Sequence, residues 1–271
     1  MFRERGIEIK TPEQIAWMRE AGLVVAEALS LLESAVEPGV TTRELDAIAE
    51  THIRSRGATP NFLGYHGFPA TICTSVNDEV VHGIPGDRVL REGDLVSIDC
   101  GAVVEGWHGD AAVTVAVGSV SDELHELMRV CEESMWRGFA SARLGGRLSD
   151  ISAAIEAYVR SQGDYGVVED YVGHGIGSAM HMAPRVPNFG RPSKGPKLVR
   201  GMALAVEPMI TLGTIDTDVL DDDWTVVTTD GSWAAHFEHS FTLTPEGALI
   251  LTALDGGAAK LAELGVACAL A

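Results

Sequence analysis

The sequence predicts an α/β chain built as two facing halves of similar design, and three observations predict it. Apolar stretches of strand length carry the single acids Asp99, Asp110, Glu207 and Glu238, although isolated carboxylates are rarely buried. Helix patterns with their own start and stop signals precede strand patterns in both halves. Motifs also recur at one spacing. Leu90-x-x-Gly93 and Leu198-x-x-Gly201 lie 108 residues apart, as do His66-Gly67 and His174-Gly175, and as do Asp99 and Glu207. This pattern reads as an old duplication within one domain spanning 1–271, with repeats at about 10–118 and 119–252.

Taken in order, Thr11-Pro12-Glu13-Gln14 opens a first helix, with a cap, a proline in the first turn and capping-box spacing. Ile15, Met18, Gly22, Val25, Leu29 and Leu32 then recur at helical spacing, and Pro38-Gly39 stops the run. Thr41 with Glu44 starts a second helix whose inner face holds Leu45, Ile48 and Ala49, with His52 as a structural edge residue. Residues 59–70 are aromatic and turn-rich, suited either to walling a pocket or to packing on the core. Short strands at 71–76 and 79–82 flank an Asn77-Asp78 hairpin turn.

Residues 95–114 read as a nearly continuous apolar hairpin interrupted by Asp99 and Asp110. With Val104-Glu105 as its turn, the two acids oppose each other on one face, about 5 Å apart at Cβ. Either a cation lies between them or one holds a proton. The alternative is a turn edge with one exposed Asp.

Helices follow from Ser121 to about Arg143, and over about 150–161. A strand at 166–171 leads into Gly173-His174-Gly175-Ile176-Gly177, where glycines let backbone approach whatever the imidazole touches. Residues 183–201 read as a loop, 202–212 as an apolar strand holding Glu207, and 216–223 as a solvated acidic turn. A last hairpin is predicted from 225–229 and 234–244, with Glu238 in its second strand; the Ala-rich tail 253–271 reads as a short helix of no assigned role.

Composition narrows the function. The formal charge is −19, with 39 acidic and 20 basic residues and no long Lys/Arg run, which argues against nucleic-acid and anionic-membrane partners. Cys73, Cys100, Cys131 and Cys268 are scattered without a C-x-x-C, as expected of cytoplasmic thiols. The charged N-terminus lacks an apolar signal core, and no apolar run reaches membrane-spanning length.

Four carboxylates in apolar strands, joined by His174, require cations, because burying one isolated carboxylate costs several kcal/mol. Hard oxygen donors with one imidazole suit two adjacent divalent ions, with cobalt, manganese, iron or zinc all acceptable.

The neighbours of these residues extend the pattern. The segments 77–85, 98–110 and 173–181, with Ala205-Val206-Glu207-Pro208 and Phe237-Glu238-His239, resemble the bacterial type 1 methionine aminopeptidases of the M24 metallopeptidases. The resemblance covers about residues 10–252. It implies the two-halved pita-bread fold, two divalent metal ions per chain and excision of an initiator methionine that precedes a small residue. By matching motif, Asp99 holds one metal, Asp110 and Glu238 bridge both, and His174 and Glu207 complete the second. His82 and His181 contact substrate, His181 also serves the oxyanion, and Glu207 also shuttles a proton. Phe62, Tyr65, Phe68, Cys73, Met180 and Trp224 wall the substrate pocket. The expected setting is a cytoplasmic monomer acting on nascent N-termini at the ribosome exit. The rival readings are an X-Pro aminopeptidase or prolidase of the same fold, which usually carries a large extra N-terminal domain, and a metal-dead binding relative.

Overall fold

The computed structural model describes residues 6–269. The first five residues of the charged N-terminal segment and the last two of the tail lie outside the described residues. Helix α1 (Pro12–Ala35) starts at Thr11, whose hydroxyl accepts from Gln14 while Gln14 reaches back to Thr11. Helix α2 (Thr42–Ser55) repeats the device with Thr41 and Glu44. Short strands β1 (Thr59–Pro60), β2 (Ile72–Val76) and β3 (Glu79–Val81) lead to the long pair β4 (Leu95–Val104) and β5 (Trp107–Ala116). Helices α3 (Asp122–Ser141) and α4 (Leu148–Gln162) open the second half. Then come β6 (Gly166–Val167), β7 (Gly173–Gly175), β8 (Met182–Val186), β9 (Ala203–Val206), β10 (Met209–Thr211) and β11 (Thr217–Val219). Strands β12 (Val226–Thr228), β13 (Ala234–His236), β14 (Glu238–Thr244) and β15 (Gly247–Ile250) precede the tail helix α5 (Ala258–Glu263).

The main sheet has nine strands, ordered β1-β4-β5-β14-β9-β7-β8, with β2 also on β4 and β15 also on β14. Its centre is palindromic: β4-β5 meets β14-β9, with β2 outside one end and β7 outside the other. Helices α1 and α2 pack over one half, around Leu29, Leu32, Leu45 and Ile98. Helices α3 and α4 pack over the other, around Phe139, Ile151, Ile155 and Phe241. Full burial of a side chain such as Phe139 contributes about 1.5–3 kcal/mol. Backbones cross closely at one place: a Cβ at Gly22 on α1 would overlap the Leu251 carbonyl, and a Cβ at Gly109 on β5 would press on Gly22.

The spaced motifs occupy matching positions. Gly39 N–H donates to the Leu90 carbonyl at 2.9 Å, and Leu90 N–H to the Val40 carbonyl at 2.8 Å. In the second half Gly145 donates to Leu198 at 2.8 Å and Leu198 to Gly146 at 2.9 Å.

Several elements differ from the sequence reading. Asp99 pairs with Ala112 and Asp110 with Gly101, so the β4–β5 turn is Glu105-Gly106, not Val104-Glu105. Both turn residues have positive φ, 51° and 79°, which a Glu-Gly pair accepts and a β-branched Val resists. The shift is two residues, so the two acids stay on one face as diagonal neighbours. Strands β2 and β3 join different sheets. Asn77, at φ 64°, is held by Leu95 N–H and Asp94 and turns the chain out of a simple hairpin.

The predicted 202–212 strand breaks at Glu207-Pro208, where proline has no N–H for a ladder bond. The predicted last hairpin does not form: β12 pairs with β11 and β3, and β13 pairs with β10. Asp230 accepts from Thr214 and Ser232 and redirects the chain between them. The acidic turn becomes half of the β11–β12 hairpin. The 166–171 strand shortens to β6. The Pro-rich 183–201 loop contains most of β8, an edge strand, where prolines are tolerated.

Candidate active site

The four strand acids come from four neighbouring strands. Asp99 lies on β4, Asp110 on β5, Glu238 opens β14, and Glu207 follows β9. Strands β9 and β14 pair through Val206 and His239, while β10 and β13 pair through Met209 and His236. Two adjacent strands therefore pass from one sheet to another at the same level, and Glu207 and Glu238 sit at that passage. His174 stands on β7, which pairs with β9 through Gly175 and Leu204.

These groups are hard to leave charged. Burial pushes Asp99 up to about 7 and Glu207 up to about 8. Burial and the neighbouring carboxylates push Asp110 and Glu238 well above the ordinary range. Asp99 Oδ1, Asp110 Oδ1 and Glu238 Oε1 are buried without a hydrogen-bond partner. One donor atom from each of Asp110, His174 and Glu238 falls within 4.8 Å of the others. His174 Nδ1 donates to the Gly175 carbonyl at 3.0 Å, which leaves Nε2 as a lone-pair donor facing Glu207 Oε1 at 3.4 Å. Burial lowers His174 to about 3, so the ring stays neutral, as a metal ligand requires. Orphaned oxygens, convergent carboxylates and a tautomer-fixed imidazole fit divalent cations in both number and type.

An apolar pocket adjoins the acids. Phe62, Phe68, Cys73 and Met180 are buried together, with Tyr65 and Trp224 beside them. Phe68 meets Phe62 edge-on at 6.5 Å and Trp224 at 5.1 Å between ring centres. Cys73 on β2 pairs directly with Asp99 on β4, so it marks the boundary between apolar and acidic parts. His82 adopts a left-handed φ of 62° and packs edge-on against Trp224 and Tyr171. Such strain in a non-glycine residue gathers at working sites. His181 Nδ1 lies 2.9 Å from the Tyr65 hydroxyl, and its ring centre 4.3 Å from that of His174. All thirteen residues singled out in the sequence line one cavity: the five proposed ligands, the two histidines and the six pocket residues.

The sequence reading missed His236. Its ring is buried, its Nε2 has no hydrogen-bond partner, and that atom lies 4.0 Å from Glu207 Oε2. Its position two residues before Glu238 on an apolar strand was the available signal.

Residues 16–245 match Metallopeptidase family M24. The methionine aminopeptidase of Clostridium acetobutylicum is 54% identical over 247 residues, spanning 91% of this chain and 98% of that one. The chain belongs to this family, on its bacterial type 1 methionine aminopeptidase branch. The crystal structure of a family member from Thermotoga maritima superposes with a TM-score of 0.89 at 44% identity, covering 91% of this chain and 99% of that one. A Pyrococcus furiosus prolidase superposes at 0.73 with 23% identity, covering 90% of this chain and 65% of that longer one, a likeness of fold alone. The pita-bread fold expected from the resemblance is the fold observed.

Proposed function

We propose that the chain removes the N-terminal methionine of proteins whose second residue is small, as a metal-dependent hydrolase. One observation carries this reading: a cluster of hard carboxylate donors shares its cavity with a closed apolar pocket, and Cys73 lies directly across from Asp99 at the junction.

In this reading Asp99 would hold one divalent cation, His174 and Glu207 would hold a second, and Asp110 and Glu238 would serve both. Cations bound there supply Lewis acidity and an acidified water near neutral pH. Manganese, iron, cobalt and zinc all suit the donor set. The apolar pocket orients the substrate by taking its methionine side chain, a flexible thioether matched to aromatic and thiol walls. With the Tyr65 hydroxyl as donor to His181 Nδ1, 2.9 Å away, the ring carries its proton on Nε2 and would donate it to the developing oxyanion. Burial lowers the pKa of His181, which keeps the ring a neutral donor. Glu207, at the edge of the cluster, is read as the group that carries a proton to the leaving amine. His82 closes the wall beside the second residue and limits its size.

The two halves, about 10–118 and 119–252, are read as repeats of one unit within a single catalytic domain, supported by the matching Leu90 and Leu198 contacts. The setting we assign is a cytoplasmic monomer meeting nascent N-termini at the ribosome exit. Four free, buried thiols suit a reducing compartment. No helix among the described residues is long and apolar enough to cross a membrane.

A series of Met-X-Ser peptides with X from Gly to Phe, beside Leu-Ala-Ser and an X-Pro peptide, tests the reading with and without EDTA. Met-Gly, Met-Ala, Met-Ser and Met-Thr peptides should be cleaved, with discrimination against Leu-Ala-Ser of at least about tenfold. Equal cleavage of Met-Phe-Ser and Met-Ala-Ser, preference for X-Pro, or indifference to EDTA would refute it.

A further inference from the structure

A second cavity of about 520 Å³ opens from the first across His82, His174, His181 and Glu207. Beyond those residues its walls are the 170–173 segment on one side and Met182, Ala183 and Arg185 on the other. If the methionine side chain fills the apolar end, as proposed above, the substrate chain must leave on the opposite side, where this cavity begins. An extended chain advances about 3.4 Å per residue, so the third residue starts roughly 7 Å beyond the scissile carbonyl. Tyr171 and Arg185 line this second cavity.

Arg185 is well placed to read that residue. It pairs with His174 across the β7–β8 ladder, and cross-strand partners present their side chains on one face. Its side chain is exposed, and its Nη2 donates to the Asp170 backbone carbonyl at 3.3 Å. That contact steadies the guanidinium without neutralising it. Among the described residues no carboxylate lies within 4.0 Å of it as an ion-pair partner. Asp170, an acid in the same wall, meets Arg185 through its backbone carbonyl and not as an ion-pair partner. Residues 171–206 contain five Lys or Arg and no Asp or Glu, in a protein whose net charge is −19.

We propose that this cavity is a downstream subsite in which Arg185 favours substrates with an acidic third residue over those with a basic one. The inference rests on the aminopeptidase reading, and the test separates the two. C-terminally amidated peptides Met-Ala-X-Ala-Ser, with X as Asp, Ser or Lys, avoid any other carboxylate near the subsite. The Asp peptide should exceed the Lys peptide about fivefold in kcat/KM at low ionic strength, through KM, as expected for one exposed attraction set against one repulsion. Salt at about 0.5 M should bring the ratio toward one. Arg185→Ala should flatten the ratio and Arg185→Glu should invert it. Arg191→Ala, outside the cavity, should leave it in place. A flat ratio in the natural protein, a ratio that survives Arg185→Ala, or one that Arg191→Ala reduces equally would overturn the subsite. Failure of even the Ser peptide to lose methionine would instead overturn the aminopeptidase reading.

Discussion

Removing the cations and then varying pH tests the carboxylate cluster directly. Glu207 rises from its ordinary 4.5 to about 8, and Asp110 and Glu238 are also raised, each chiefly by burial. Above about pH 5 the unfolded chain has released these protons while the native, metal-free chain still holds them. Native stability therefore falls as pH rises toward the native values. Between pH 7 and 8 Glu207 alone, half released at pH 8, costs the metal-free protein about 1 kcal/mol. For a chain of this size that is a fall in Tm of roughly 2–4 °C, to which the raised Asp110 and Glu238 add. Two histidines contribute the opposite slope on the acid side. His174 and His236 are held near 3 by burial, so below about pH 6.5 the unfolded chain takes up protons that the native one refuses. Below about pH 6.5 these histidines offset part of the carboxylate slope, so the metal-free Tm falls most steeply above it. Bound cations take the carboxylates in their ionised form, so the stabilisation gained on loading should grow from pH 7 to 8. Differential scanning calorimetry of EDTA-stripped and manganese-loaded protein measures both curves. Asp110→Asn, which keeps the shape and removes one charge, should melt above the natural chain at pH 8 when metal-free. A metal-free Tm that stays level or rises from pH 7 to 8, or a metal-free Asp110→Asn that melts lower there, would refute the reasoning.

Asp110→Ala and Glu238→Ala should each abolish methionine release, because in the proposed site each is a carboxylate shared between cations; metal analysis beside the assay checks this, and substantial turnover by either variant counts against a two-cation site. His181→Ala should retain its metal content while kcat drops by roughly 10²–10³-fold, the usual loss for one oxyanion donor. Loss of bound metal in that variant would make His181 a ligand.

Much of this architecture was legible in the sequence because the informative residues break their own pattern. An acid in an apolar strand contradicts the burial rule, so Asp99, Asp110, Glu207 and Glu238 stood out without any structure. Helix starts at Thr11 and Thr41 were equally clear, since capping is local chemistry within four residues. What failed was pairing. The 225–229 and 234–244 segments look like a hairpin locally, yet β12 pairs with β11 just before it and with the distant β3, and β13 pairs with β10. Strand β8 was hidden because Pro184 and Pro187 signal a loop, and only its place at the sheet edge makes them acceptable. The one-turn error at Glu105-Gly106 was harmless for the site, because a shift of two residues preserves the face. His236 went unmarked because a lone buried histidine is usually structural; its nearness to Glu207 depends on β13 pairing with β10, just past Glu207, which no local signal reveals.

The strand order also supplies a reason for the proposed sharing of ligands. Across β4-β5-β14-β9 the acids appear as Asp99, Asp110, Glu238 and Glu207. Adjacent strands lie about 4.8 Å apart, so the outer two acids start about 14 Å apart at the backbone, too far for one small cation to draw on both comfortably. The inner two start between them and lie within reach of either side. A cation beside Asp99 and another beside Glu207 would thus be served by separate outer acids and common inner ones. His174, on the strand beyond β9, can join only the Glu207 side. The asymmetry between a site completed by imidazole and one built from carboxylates alone follows from which end of a palindromic sheet received the histidine strand. The first half places Cys73 opposite Asp99 at the corresponding edge, a thiol that burial and the nearby acids keep protonated and that serves the apolar pocket instead. In the proposed reading the same frame would hold two unlike tasks side by side: donors for cations on one flank, and a wall for a thioether on the other.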